Sequence, residues 1–460
     1  MSWERLGSRI LEPFIFACYK VRGCEGVTMR RFIMVLAGLA LPAPALAAAQ
    51  QPIEPIEVPP SVEQGLDMVY IDREIAPSMQ QRDAQLEQQG FEDFQAAPVD
   101  MFAPVHPLYT DLRRGLVQYQ MRWGDLPQVQ VPVSGPLLKL NATGDRVALL
   151  RQRLGLPDGS KYDVATAAAV KEFQAAHGLK ADGAAGAGTL QALNRGFKHY
   201  ESVLLLNLER ARRLPRTTET GRYVLVDAGA AKLWMFENGR PVDSMRVIVG
   251  EKATETPMMA ALLRFVSVNP YWNTPPDFAQ KNVAPNVLKE GLNYLVERDY
   301  QVLSDWTDEA TQIDPATVDW AAVAAGKANV RLRRGPGPWN SMGDMKFMMP
   351  NDFGIYLHDV PDASKAAFKT DDRWISNGCI RLEDADRFAS WLFGRVPKGK
   401  DPKVEENIDL PERVPVYVTY LTAEGGPNGA RFRPDPYNRD PALLARYFGD
   451  GQQQVAALNP

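Results

Sequence analysis

The sequence predicts a multidomain α+β protein in which a mainly-β sandwich, interrupted by a helical insertion, follows a small three-helix domain. Three observations predict this class. The chain has 460 residues, which is enough for two or three separate cores. Apolar residues recur at helical spacing between residues 136 and 220. Short strand-like runs separated by turn residues begin at Gly221.

Residues 1–47 are predicted to be an N-terminal extension and a signal peptide. Residues 29–31 (MRR) supply a positive region, residues 32–41 an apolar core, and residues 45–47 (ALA) an A-x-A cleavage signal. The apolar core is shorter than the ~20 residues of a membrane span, so no transmembrane span is expected in the mature chain. We therefore expect a true start at Met29, cleavage after Ala47 and export to the periplasm. An internal apolar helix is the alternative.

Two segments without predicted chemistry come next. Residues 48–65 are rich in Pro, Gln and Glu and are expected to form a flexible tether. Residues 66–135 are expected to form an N-terminal scaffold, with helical patterns around residues 84–94 and 104–118.

Residues 136–196 contain three motifs at fixed offsets. They are G-D-x-V-x-x-L from Gly144, A-V-x-x-F-Q-x-x-x-G-L from Ala169 and D-G-x-x-G-x-x-T from Asp182. The Gly and Asp positions make this segment resemble the small three-helix peptidoglycan-binding domain. A helical module without glycan binding is the alternative. Residues 197–220 are predicted to be a connecting helix.

Residues 221–423 are predicted to be a catalytic domain built from short strands. Residues 223–226, 232–236, 244–249, 264–268 and 414–421 are strand-like, and residues 237–240 (ENGR) form a hairpin turn. Residues 277–345 break this pattern as an insertion with helical stretches, which at this length indicates a functional element. Residues 424–460 are expected to be a C-terminal tail that ends in disorder.

Charge and cysteine content argue against a nucleic-acid partner, an intramolecular disulfide and a zinc site. The net charge is −4, which argues against a nucleic-acid partner because such proteins favour a strongly basic surface. Two of the three cysteines, Cys18 and Cys24, lie in the N-terminal extension. After cleavage Cys379 would stand alone, so no intramolecular disulfide could form. No Cys/His cluster has zinc-ligand spacing, and no metal or cofactor is expected.

The sequence predicts that His358 and Cys379 together form a catalytic pair. Cys379 follows His358 by 21 residues. Residues 355–357 (IYL) indicate a buried strand that delivers His358 at its end. Gly378 allows a sharp turn immediately before Cys379. A thiol attacks as thiolate, and a nearby imidazole is the usual way to form one near neutral pH.

The pattern H-D followed by S-x-G-C-I-R-L resembles the L,D-transpeptidases of bacterial cell walls, with a YkuD-type catalytic domain. The insertion resembles the substrate-capping subdomain of their large periplasmic, YcbB-like branch. Ser376, Gly378, Cys379 and Arg381 match the motif position by position. Many members carry a second histidine where this chain has Asn377, but only the backbone N–H of that residue is implied in catalysis.

The resemblance implies a role for each residue of the catalytic group. Cys379 would attack a stem-peptide carbonyl, and His358 would transfer the proton. The backbone carbonyl of Asp359 would orient His358, with the Asp359 side chain more suited to capping the turn. Backbone N–H groups of Asn377, Gly378 and Cys379 would form an oxyanion hole.

Four further residues are expected to bind substrate. Arg381 would pair with a substrate carboxylate, with a structural salt bridge as the alternative. Tyr356 and Trp272 would shape the clefts, with packing as the alternative. Ser376 is added to this group because it occupies the first position of the S-x-G-C motif.

The expected partners are peptidoglycan stem peptides and glycan, with carbapenem-type β-lactams as inhibitors implied by the resemblance. The sequence leaves three alternatives to the transpeptidase. An L,D-carboxypeptidase would use the same residues with water as acceptor. A papain-like protease is disfavoured because it places Cys before His. A catalytically inactive wall-binding anchor is disfavoured by the presence of both His358 and Cys379.

Overall fold

The computed structural model describes residues 65–72, 105–216, 221–307 and 309–449. The expected signal peptide and almost all of the expected tether lie outside these residues, as does the helical pattern around residues 84–94. No helix within the described ranges is both long and apolar enough to cross a bilayer.

Helices dominate the N-terminal half of the described chain, and strands dominate the rest. The helices are α1 (Pro107–Trp123), α2 (Asp145–Arg153), α3 (Val164–Ala176), α4 (Ala187–Arg212), α5 (Pro276–Phe278), α6 (Ala284–Glu290), α7 (Asn293–Glu297), α8 (Trp320–Ala324), α9 (Ala385–Phe393) and α10 (Asp440–Phe448). The strands are β1 (Val69–Tyr70), β2 (Arg222–Asp227), β3 (Lys232–Glu237), β4 (Arg240–Gly250), β5 (Met259–Val268), β6 (Trp272–Thr274), β7 (Tyr300–Leu303), β8 (Arg331–Arg334), β9 (Met345–Met348), β10 (Leu357–His358), β11 (Trp374–Ser376), β12 (Ile380–Leu382), β13 (Glu406–Thr419), β14 (Ala423–Gly426) and β15 (Gly429–Phe432). The α+β class predicted from the sequence is confirmed.

The segment with the three motifs folds as helices α2, α3 and the first part of α4. Asp163 caps α3 by accepting a hydrogen bond from the Thr166 N–H at 2.8 Å. The apolar positions of the motifs, such as Val147 and Val170, are fully buried. Gly196 has φ of +83°, so the helical path breaks there and restarts as the long connecting helix.

The main sheet of the catalytic domain closes on itself. Its strand order is β1-β5-β13-β2-β3-β4-β12-β10-β9, with β11 added beside β4 and a further pairing between β5 and β9. The pairing of β5 with β9 joins Phe265 to Met348 and Val268 to Met345. Eight strands, from β5 around to β9, therefore form a continuous ring. The β2–β3–β4 hairpins begin this ring, and the turn at Asn238 and Gly239 uses positive φ at both residues.

The insertion has a core of its own. Strands β6, β8 and β7 form a small antiparallel sheet that shares one hydrophobic core with helices α5 to α8. Its fully buried residues include Val283, Val302 and Leu332. The unit begins at β6, a few residues before the boundary expected at residue 277.

The C-terminal segment is folded over residues 424–449, and the expected disordered end at residues 450–460 lies outside the described residues. Strands β14 and β15 form a hairpin that packs on α1, and α10 packs on α4. A buried polar network fixes this arrangement. Arg210 of α4 donates to Asp440 at 2.7 Å, and the same carboxylate accepts from the Thr422 hydroxyl at 2.6 Å. Asn207 accepts from the Thr422 N–H at 2.7 Å.

Candidate active site

Strands β10 and β12 bring the two halves of the sequence motif together. They pair in parallel, with Leu357 opposite Ile380 and His358 opposite Arg381. Directly paired residues project to the same face of a sheet, and every second residue does the same. Tyr356 precedes His358 by two positions, and Cys379 precedes Arg381 by two. These four side chains therefore share one face of the sheet.

The Cys379 thiol is half-buried and donates a hydrogen bond to the backbone. Its Sγ donates to the carbonyl of Gly354 at 3.5 Å. Burial raises the pKa of the thiol, while hydrogen bonding with Tyr356 and the positive charges of Lys346 and Arg381 act in the opposite direction. The resting thiol is therefore mostly protonated at neutral pH.

His358 is held as a neutral base. Its Nδ1 lies 2.6 Å from the backbone carbonyl of Asp359, which is the contact that the family resemblance implied. A carbonyl only accepts, so Nδ1 carries the proton and Nε2 keeps its lone pair. Burial, followed by the charge of Arg381, lowers the pKa of His358 to about 3. Within the described part of the chain, no hydrogen bond joins His358 to Cys379, so the resting pair is neutral.

The carboxylate of Asp359 is used in a turn. Its Oδ2 accepts a hydrogen bond from the Asp344 N–H at 3.0 Å. Burial raises the pKa of this carboxyl group. The side chain therefore stabilises the entry to β9, while the backbone carbonyl serves His358.

The turn before Cys379 is fixed by hydrogen bonds of its own. Gly378 has φ of +106°, and a Cβ added there would lie 3.0 Å from Cδ1 of Ile355. The Gly378 N–H donates to Ser376 Oγ at 3.2 Å, and that hydroxyl donates to the Cys379 carbonyl at 2.7 Å. Thr256 Oγ1 donates to the Gly378 carbonyl at 2.7 Å.

These bonds change two of the sequence-based expectations. The N–H of Gly378 is already engaged in this structure, which leaves the N–H groups of Asn377 and Cys379 as candidate oxyanion donors. Ser376 is buried and its hydroxyl is used inside the turn, so it shapes the loop and does not stand ready for substrate.

Arg381 and Tyr356 line the site, and Trp272 lies in the core of the insertion, against which Tyr356 packs. Arg381 has no carboxylate within salt-bridge distance among residues 221–307 and 309–449, which removes the salt-bridge alternative there. The Tyr356 ring lies 5.8 Å from the His358 ring. Trp272 is buried in the core of the insertion, against Phe278 and the guanidinium of Arg334. Packing therefore accounts for Trp272.

Lys346 was missed in the sequence. It lies on β9 directly opposite His358, and its Nζ stands 4.2 Å from the centre of the Tyr356 ring. The available signal was a single lysine in an otherwise apolar strand, residues 345–349 (MKFMM). Such a lysine on the catalytic face of the sheet is a candidate site residue.

Comparison with known proteins agrees with this geometry. Residues 221–418 match the family model described as "L,D-transpeptidase catalytic domain" (YkuD), and residues 143–193 match the model described as "Putative peptidoglycan binding domain". A curated relative from Haemophilus influenzae, named "Putative L,D-transpeptidase", is 31% identical over 227 residues. That alignment covers 48% of this chain and 44% of the relative, so the chain spans less than half of the relative's length.

Solved structures give more distant similarities. An L,D-transpeptidase from Mycobacterium smegmatis is 13% identical, with 43% of this chain and 58% of that chain covered and a TM-score of 0.21. L,D-transpeptidase 3 from Mycobacterium tuberculosis, in complex with a faropenem-derived adduct, is 12% identical, with 43% and 60% covered and a TM-score of 0.22. At these TM-scores the similarity supports no inference about this chain.

The β-domain whose adjacent strands present a cysteine and a histidine on one face is similar, over residues 221–418, to the YkuD L,D-transpeptidase catalytic domain. Residues 143–193 are similar to a peptidoglycan-binding domain.

Proposed function

We propose that this protein is an exported L,D-transpeptidase that forms peptidoglycan cross-links by acyl transfer through Cys379. The observation that carries the proposal is the shared face of β10 and β12, where Cys379, His358, Tyr356 and Arg381 meet inside a domain of the YkuD family. The domain that matches peptidoglycan-binding proteins supports a wall substrate. Such a substrate lies outside the cytoplasm, which supports action in the periplasm.

The reaction would proceed in two acyl-transfer steps. Neutral His358 accepts the thiol proton while Cys379 sulfur attacks the carbonyl of an L,D peptide bond. The oxyanion of the tetrahedral intermediate is held by the N–H groups of Asn377 and Cys379. The imidazolium then protonates the leaving amine, and a thioester remains. An acceptor amine attacks the thioester, loses its proton to His358 and releases the thiol.

The structure favours a substrate-gated version of this chemistry. In the resting site the thiol donates to Gly354 and not to His358. Rotation of the thiol about its Cα–Cβ bond could redirect the S–H towards His358 Nε2 once a donor peptide fills the cleft. Arg381, which has no ion-pair partner within the described ranges, would bind a carboxylate of that donor.

The direct test is mass spectrometry of the chain from residue 48 onward after incubation with a disaccharide-tetrapeptide. A cross-linked dimer that is absent with Cys379→Ala supports the proposal, and fragmentation identifies the new bond. Loss of the terminal D-alanine without a dimer would instead show an L,D-carboxypeptidase. No reaction, with retained binding to sacculi, would show a wall-binding anchor.

Inhibitor binding provides an independent test of the nucleophile. We propose, from the similarity of residues 221–418 to the L,D-transpeptidase catalytic domain, that carbapenems acylate Cys379. Intact-mass measurement should show one adduct per chain in the wild type and none in Cys379→Ala. An adduct that persists in the variant would show that Cys379 is not the acylated residue.

A further inference from the structure

A row of polar side chains crosses five neighbouring strands of the ring. Arg381 on β12 pairs with His358 on β10, which pairs with Lys346 on β9. Lys346 pairs with Ser267 on β5, which pairs with Asn407 on β13. Directly paired residues face the same way. The catalytic histidine therefore has one cation on each side of it, Arg381 towards the thiol strand and Lys346 towards β9.

Lys346 is placed as a binding group and not as part of a structural ion pair. Its side chain is half-buried, and its Nζ lies over the face of Tyr356 at 4.2 Å. No carboxylate stands within 4 Å of it in the described part of the chain. Glu405, which directly precedes β13, is the acidic group whose charge acts on Lys346, and the two side chains do not form an ion pair. A partly desolvated cation without a counter-ion gains strongly when an anion arrives.

The proposed reaction brings such an anion to this side of His358. The amine side of an L,D bond is a D-amino acid. When that residue ends the stem, its free α-carboxylate is attached to the carbon that bears the leaving nitrogen. The acceptor amine of a diaminopimelate side chain is also attached to a carbon that bears a carboxyl group. His358 must reach both nitrogens to move their protons, so both carboxyl groups come within a few ångströms of the imidazole.

We propose that Lys346 binds the α-carboxylate of the D-amino acid that leaves and then of the amine that replaces it. This assignment rests on the proposed function and deepens it. Lys346 would orient the nitrogen towards His358 Nε2 by holding the carboxylate beside it. One residue would thus select for D-amino acids with a free carboxyl group in both half-reactions. Arg381 would remain available for a carboxylate on the other side of the thiol.

The role of Lys346 leaves the reaction balanced without a further reagent. The C–N bond of the donor breaks as the C–S bond forms, and the proton taken from sulfur leaves on the amine. In the second step the C–S bond breaks as a new C–N bond forms, and the proton from the acceptor returns to sulfur through His358. The ammonium of Lys346 keeps its protons throughout.

The test compares carboxylate and amide forms of the same substrate. Wild type, Lys346→Met and Lys346→Arg would be assayed with a disaccharide-tetrapeptide that ends in D-alanine and with its D-alaninamide analogue. Loss of one charged hydrogen bond corresponds to about a tenfold to hundredfold fall in rate. We expect kcat/KM for the D-alanine substrate to fall by this factor in Lys346→Met. The amide substrate should lose much less kcat/KM between wild type and Lys346→Met than the D-alanine substrate does, and Lys346→Arg should restore part of the preference.

The acceptor half-reaction is tested in the same way, with D-methionine and D-methioninamide competing for the acyl-enzyme. The exposed lysine Lys398 provides the matched control, because Lys398→Met removes the same charge from an exposed position of the same domain. Equal loss for carboxylate and amide substrates in Lys346→Met would show that Lys346 acts on the thiol or imidazole, and would overturn the proposal. A wild type inactive on both substrates would refute the proposed function itself.

Discussion

Backbone geometry and packing together disfavour every residue type other than glycine at position 378. Its positive φ disfavours any side chain, and a Cβ would press on Ile355 at 3.0 Å. Gly378→Ala should therefore destabilise the turn by about 1–3 kcal/mol and displace the adjacent N–H of Cys379. We expect carbapenem acylation to slow by about a hundredfold, as for loss of an oxyanion donor. Stopped-flow acylation and thermal unfolding measure the two effects.

Gly188 supplies the control for that substitution. It lies in helix α4, and no atom comes within 4 Å of an added Cβ. Gly188→Ala should leave acylation unchanged and stabilise the chain by about 0.5–1 kcal/mol, since alanine favours the helix. If Gly378→Ala acylates at the wild-type rate, the turn does not form the oxyanion hole.

Because Cys379 and His358 are both neutral in the resting site, the reactivity of the thiol should depend on pH in a defined way. Burial raises the pKa of Cys379 and lowers that of His358, so a thiolate–imidazolium pair does not form in the free enzyme. The rate of alkylation by iodoacetamide should therefore be low at pH 7 and continue to rise above pH 9. Lys346→Met should lower it further at each pH, because a positive charge that favours the thiolate is lost. A plateau already at pH 6–7 would contradict this, since it would require a preformed ion pair.

Residue-level prediction from sequence was uneven for physical reasons. His358, Cys379 and Gly378 were predictable because their chemistry needs those residue types in a local pattern. Lys346 was not, because its importance arises only when β9 pairs with β10, and pairing partners are not encoded at a fixed offset. Trp272 was expected at the cleft from the loop around it, with packing as the alternative, and its ring lies in the core of the insertion, against which Tyr356 packs.

At the scale of elements, the C-terminal segment shows where composition misleads. Residues 424–429 (EGGPNG) have the Gly and Pro content of a loop. In the structure they form most of a hairpin, because α1 and α4 cover it and the Arg210–Asp440 network holds the following helix. These contacts join residues more than 200 positions apart, so no local pattern could have predicted them. The strand-like runs at residues 223–226, 232–236, 244–249, 264–268 and 414–421, in contrast, overlap β2, β3, β4, β5 and β13, whereas β9 and β12 were not predicted.

Removing only one partner of the buried Arg210–Asp440 pair should lower the free energy of unfolding strongly. Arg210 is fully buried, and Asp440→Ala leaves its charge without a partner. We expect a loss of about 3–5 kcal/mol in the free energy of unfolding, and a smaller loss for the double variant Arg210→Met/Asp440→Leu. Chemical denaturation measures both.

The exposed Arg387–Asp243 pair is the comparison for that experiment. Its atoms approach to 2.8 Å, but both side chains are substantially exposed. Asp243→Ala should cost less than ~1 kcal/mol. Equal losses for Asp243→Ala and Asp440→Ala would show that the C-terminal helix is not held by the buried charge.

For the whole molecule, three buried histidines link stability to pH. Burial lowers the pKa of His106, His177 and His358 to about 3 each, from 6.5. In the unfolded chain they take up protons below pH 6.5, whereas in the folded chain they stay neutral down to about pH 3. Their contribution is therefore complete above pH 6.5 and is lost as pH falls. Between pH 7 and pH 5 we expect a loss of about 2 kcal/mol per histidine.

His106→Asn isolates one of these contributions. His106 caps α1 through Nδ1, which accepts from the Leu108 N–H, and its ring contacts Phe236 of β3. Asparagine keeps a capping acceptor and does not titrate. The variant should start less stable at pH 7 and then lose about 2 kcal/mol less than wild type by pH 5. Parallel curves for the two proteins in urea would show that His106 is not buried as a neutral group.

The closure of the main sheet has a consequence for how any peptide can dock. Among the described residues, β5 pairs with β13 along one side and with β9 along the other, so the ring from β5 to β9 presents no unbroken edge strand. A ligand therefore cannot extend this ring by adding itself as a further strand, which is a common mode of peptide capture. Peptides must instead be bound by side chains and by the backbone N–H groups of loops above the face of the sheet. Recognition should then depend on the charge and handedness of individual residues more than on the length of extended backbone.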